Sequence, residues 1–121
     1  MIFENIIKVP LFPVSIQLIV TDDAEKYCRD NVLKLIDIQE RACVYDVNDF
    51  PEFPHAWILL MRNDSLQENV IVHETLHLIA QILRRFDTNL VDETEEVYAY
   101  LQEYLYKIIR QRTIEAKAKW Q

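Results

Sequence analysis

Leu66-Gln67-Glu68-Asn69-Val70-Ile71-Val72-His73-Glu74-Thr75-Leu76-His77-Leu78-Ile79-Ala80-Gln81-Ile82-Leu83-Arg84-Arg85-Phe86 reads as one amphipathic helix. At 100° per residue, Ile71, Leu78, Ile82, Phe86, Ile79, Val72, Leu83 and Leu76 fill one continuous apolar arc. His73 and His77 fall opposite that arc, with Asn69, Glu74, Ala80, Gln81 and Arg84. Residues four apart on a helix stand one turn above each other, so two imidazole nitrogens can meet on one metal ion. Glu74 completes an HExxH and is placed to take a proton from water held there. The bland alternative is a pair of exposed surface histidines.

An acidic cluster lies downstream at Glu93, Glu95 and Glu96. Asp92 and Glu95 have capping-box spacing and predict a last helix running to Arg112 or beyond. Its apolar arc is Tyr104, Val97, Ile108, Leu101, Leu105, Tyr98 and Ile109, and Glu96 lies outside it beside Ala99, Tyr100, Glu103 and Lys107. If both late helices lay their apolar arcs on a sheet, Glu96 approaches His73 and His77. Two imidazoles and a carboxylate make a zinc site that keeps one position open. The competing reading is that these glutamates only decorate a helix N-terminus, where carboxylates are favoured anyway; it is strongest for Glu95, and Glu93 is the other carboxylate within reach.

Upstream, residues 1–13 read as an irregular apolar segment broken by Pro10 and Pro13. Residues 14–20 alternate as a half-buried strand, and Asp22 with Glu25 predicts a helix over 22–38. Strands are expected at 42–47 and 56–61, joined as antiparallel neighbours through the Pro-containing turn 49–54. His55, at the start of the later strand, could approach the metal but reads more naturally as a surface residue. Ser65 and Glu68 form a second capping box and start the HExxH helix near Leu66. The expectation is one α+β domain over 1–121, with a small, mostly antiparallel sheet, helices on it, and the order β-α-β-β-α-α.

The 121 residues, half of them apolar, suit one modest core. A net charge of −7 argues against a nucleic-acid backbone or an anionic membrane as the main partner. The charge is uneven: residues 87–103 are acidic, while Lys107, Arg110, Arg112, Lys117 and Lys119 make the tail basic, as suits a solvated helix end. No stretch has the length of a membrane span, the first twenty residues, interrupted by Pro10 and Pro13, are not expected to be a signal peptide, and Cys28 and Cys43 lack metal-ligand spacing, which suggests a reducing, cytoplasmic setting with both thiols buried. Glycine is absent. That disfavours phosphate-cradling loops, dinucleotide fingerprints and nucleophile elbows, all of which need it. Turns must use Asn, Asp and Pro, as at Asp87-Thr88-Asn89.

His73-Glu74-Thr75-Leu76-His77, followed after 18 residues by Glu96, resembles the HExxH-x18-E arrangement of gluzincin metallopeptidases. The stretch from His73-Glu74 to Glu96-Val97-Tyr98-Ala99-Tyr100-Leu101 is also similar to small HExxH proteins of tailed phages. The resemblance covers residues 73–101. It implies a zincin core, an edge strand that holds an extended peptide, zinc on His73, His77 and Glu96, and Glu74 as general base. Where thermolysin-like enzymes carry an asparagine before the ligand glutamate and an aspartate four residues after it, this chain has Glu95 and Tyr100. Tyr100 is the candidate donor to the oxyanion. The resemblance thus implies a zinc-dependent hydrolase acting on peptide or amide bonds, with a peptide or protein partner, in a host cytoplasm if phage-encoded. The alternatives are a non-catalytic zincin-like metal-binding protein serving as a phage or host interaction module, and an acidic interaction module without metal.

Overall fold

The most apolar strand sequence, Trp57-Ile58-Leu59-Leu60-Met61, has no polar face, and a strand of that kind belongs where both sides are covered. In the computed structural model, which describes residues 1–31, 33, 41–89 and 91–120, it occupies the sheet interior. The elements are β1 (Ile2–Lys8), β2 (Ser15–Thr21), α1 (Ala24–Asp30), β3 (Ala42–Asp46), β4 (Trp57–Arg62), α2 (Glu68–Arg85), a 3-10 turn (Asp92–Thr94) and α3 (Glu95–Lys119). The strand order is β1-β2-β4-β3.

Alternation along the two inner strands divides the core. Ile16, Leu18 and Val20 of β2, with Trp57, Leu59 and Met61 of β4, face α2 and α3, whereas Ile19, Ile58 and Leu60 pack with Ala24, Tyr27 and Cys28 of α1. Burial beneath α1 pushes the Tyr27 phenol up to about 12. It also pushes up the Tyr45 phenol, whose oxygen lies 3.4 Å from Cys28 Sγ. Cys28 is buried and Cys43 half-buried. No helix of the described residues is long and apolar enough to cross a membrane.

Two expectations about the sheet need correction. It is mixed: β1–β2 and β3–β4 are antiparallel as hairpin neighbours, but β2 and β4 run parallel, with Leu18 opposite Leu59. The continuous apolar run of β4 demands an interior place, and α1 with β3 carries the chain back so that β4 enters beside β2 in the same direction. The order also begins with a strand the sequence reading left irregular. In β1, Phe3, Asn5 and Ile7 point inward while Ile2 and Ile6 stay half exposed, so apolar residues on the outer face hide the alternation. Of the helix expected over 22–38, the part at 32 and 34–38 lies outside the described residues. The rest starts one residue late, on Asp23, whose Oδ1 accepts from the Lys26 amide at 3.0 Å, and already ends at Asp30, with Asn31 as its C-cap and Leu33 outside the helix.

The late capping boxes do not form. Gln67 stays extended at the start of α2 (ψ 155°), Ser65 Oγ donates to Asp64 Oδ1, and Glu68 instead accepts from Arg110 at 2.8 Å. That guanidinium holds the Glu68 carboxyl below its ordinary value. At the start of α3, Val91 N–H donates to Thr94 Oγ1 and no side chain caps the helix.

Without glycine, other residues take the left-handed backbone. Asp87 (φ 53°) ends α2 in a Schellman arrangement, its amide bonding Arg84 O at 3.1 Å and the Thr88 amide bonding Leu83 O at 2.7 Å. Leu11 (φ 71°) does the same between β1 and β2, where Val9 N–H donates to Val14 O. A Cβ there costs about 1–2 kcal/mol, partly offset by the lower chain entropy of a non-glycine residue. Because Leu11 is also exposed, Leu11→Gly is expected to raise stability by about 0.5–1 kcal/mol, read as a higher urea midpoint at unchanged slope.

Candidate metal centre

The buried face of α2 is Val70, Ile71, Glu74, Thr75, Leu78, Ile79, Ile82 and Leu83. It is rotated from the expected arc: Val72 and Leu76 are 50% and 51% exposed, while Glu74 is buried. The neighbours explain the offset. The helix packs against β3 and α3, and a groove of about 390 Å³ separates Val72 and Thr75 from Ala99, Gln102, Glu103 and Tyr106 of α3. Contact with the sheet therefore draws in the flank carrying Glu74.

His73 and His77 stand exposed on the flank of α2 turned away from that groove. Their rings meet edge to face at 4.7 Å, and the two Nε2 atoms are 3.1 Å apart. In one pair of tautomers this is an N–H···N hydrogen bond. It is also close to the spacing of two imidazole nitrogens on one tetrahedral metal, about 3.3 Å for bonds of 2.0–2.1 Å. Glu74 Oε1 lies 4.0 Å from His73 Nε2. One turn beyond His77, Gln81 accepts at 3.0 Å from the Trp57 indole N–H of β4, which fixes the rotation of the helix about its axis. The sequence reading missed Gln81, although its four-residue offset from His77 was visible.

The remaining candidates lie elsewhere. Glu68 meets Arg110, and Thr75 lies across the groove from Gln102 and Glu103, so α3 runs antiparallel to α2 and His77 stands level with the neighbourhood of Leu101. Glu96 is one to two turns further along, about 7.5 Å in axial rise, on the side of α3 opposite the buried stripe Leu101, Leu105 and Ile109. Among the described residues, no three His, Cys, Asp or Glu side chains converge to hold a metal ion. Glu93 is exposed in the 3-10 turn. Tyr100 is 47% exposed and stacks on Tyr104 at 6.4 Å, whereas Tyr98 and Tyr106 pack against the core. His55 is half-buried, with Nδ1 2.6 Å from Ser15 Oγ, and lines a separate cavity of about 490 Å³ beside Lys8, Phe12 and Phe53.

The chain matches no family model, no curated protein and no solved structure. What the site does must be read from its own geometry.

Proposed function

We propose that the protein is a zinc-dependent hydrolase acting on a peptide or other amide bond, with His73 and His77 as metal ligands and Glu74 as general base. The observation that carries this reading is the 3.1 Å approach of the two Nε2 atoms with a buried carboxylate 4.0 Å from one of them. Zinc bound there would supply Lewis-acid polarisation. Glu74 would take the proton of the attacking water and hand it to the leaving amine. α2 packs against β3, an outer strand of the sheet. An extended peptide pairing with the open edge of β3 would lie beside α2, as a peptide or protein substrate requires.

Glu96 as third ligand and Tyr100 as oxyanion donor belong to the same proposal, and both require the first turns of α3 to rotate towards α2. Zinc content of the untagged protein tests it, with His77→Ala and Glu96→Ala alongside. About one zinc per chain, lost in His77→Ala, is the expected result. Loss in Glu96→Ala as well makes Glu96 the third ligand; retention leaves the histidine pair to bind with outside donors. No zinc in wild type after incubation with the metal removes the enzyme reading.

The exposure of the pair, without a converging third donor among the described residues, favours a second reading: a non-catalytic zincin-like module that binds a phage or host partner. Zinc binding without peptide hydrolysis would select it.

A further inference from the structure

α3 is 25 residues long, and only one side of it is buried. Leu101, Leu105, Ile109, Thr113 and Ala116 form its buried stripe. On the opposite side Glu96, Tyr100, Glu103, Lys107, Arg110, Ile114 and Lys117 follow each other at alternating steps of four and three, and every one is exposed. That alternation is the spacing of a helix-pairing seam. It includes two large apolar side chains left in water, Tyr100 at 47% and Ile114 at 50% exposure. A concavity of about 620 Å³ runs along it, walled by Tyr106, Lys107, Arg110 and Ile114.

The order of charges selects the occupant. The acidic members, Glu96 and Glu103, both precede the basic ones, Lys107, Arg110 and Lys117. A parallel partner of the same sequence would set like charge against like. Antiparallel pairing about a midpoint between Tyr106 and Lys107 sets Glu96 of one copy against Lys117 of the other and Glu103 against Arg110, and brings Tyr100 to within one residue of Ile114. Each relation then occurs twice, as a two-fold axis demands. Arg110 already holds Glu68 through Nε, and its guanidinium has further N–H donors for a second carboxylate. We infer that the outer face of α3 docks a second copy of this chain, antiparallel, by this self-complementary strip. Because charge sets the register, the dimer weakens with salt.

Sedimentation equilibrium of the full chain tests the inference, with two variants whose folding is checked by circular dichroism. Lys107→Glu with Lys117→Glu makes the strip acidic, and Glu96→Lys with Glu103→Lys makes it basic; all four positions are exposed. Wild type is expected to dimerise reversibly, with affinity falling at least tenfold between low and high salt. Each variant alone is expected to be monomeric where wild type is dimeric, and an equimolar mixture to re-form the dimer. A wild type that stays monomeric at every concentration overturns the inference. So do folded variants that dimerise as well as wild type, or whose mixture stays monomeric.

Discussion

Glu74→Gln is expected to leave zinc content unchanged while lowering hydrolysis of any peptide the wild type cleaves by about 10²–10⁴-fold. The carboxylate is buried on α2, with Oε1 4.0 Å from His73 Nε2, so it can reach water held at the imidazole pair. Glutamine keeps the volume and one carbonyl acceptor but has no basic oxygen. Proton transfer is lost, and the two imidazoles keep their approach. Elemental analysis beside turnover of a peptide library reads both halves of the expectation. Full turnover in the variant would remove Glu74 as the base and the hydrolytic reading with it; a fall in zinc content would make Glu74 a ligand instead.

Trp57→Ala is expected to cost about 3–5 kcal/mol, a large share of the roughly 5–15 kcal/mol that holds a domain together. Trp57 is fully buried between β4 and α2, and its indole N–H is bonded to Gln81. Truncation opens a cavity under the helix and releases Gln81, which is partly exposed and can turn to water. Trp57→Phe separates the two effects: most of the apolar volume remains, and losing the hydrogen bond costs about 1 kcal/mol. Urea unfolding measures both variants. Because Gln81 is one turn from His77, Trp57→Phe is also expected to weaken zinc binding with little loss of stability. A Trp57→Ala midpoint equal to wild type would mean that the α2 side of the sheet is not the main core.

The sequence disclosed what depends on local period. The HExxH helix, the strands near 42–47 and 56–61 and their antiparallel pairing, and the inner stripe of α3, apart from Tyr104, which stays exposed, could be read from spacing, since each is a relation among near neighbours. What depends on partners far along the chain was hidden. Ile2 and Ile6 are apolar on an outer face, so β1 showed no alternation. Val72 and Leu76 border the groove to α3 instead of entering the core, and only the placement of α3 tells them apart from Ile71 and Leu78. The box at Ser65 and Glu68 failed because Arg110, 42 residues later, takes the glutamate. At the site, the pairing of His73 with His77 is a property of one helical turn and was legible, whereas the position of Glu96 depends on the rotation of α3, which the sequence leaves open.

The parallel seam between β2 and β4 has a kinetic meaning. Each outer strand reaches its neighbour through a local hairpin connection, but Leu18 and Leu59 are roughly 40 residues apart, and such contacts form only after the loop entropy between them is spent. Two hairpins thus arise early and zipper along the seam late. Substitutions on β1, whose hairpin is already formed when the seam closes, would then mainly slow folding, while the loss of contacts made only after the seam has closed would mainly hasten unfolding. His73 and His77 need no such assembly: once the first turns of α2 form, both imidazoles share a flank, so on the proposed reading zinc would be captured by a chain whose sheet is still in two pieces.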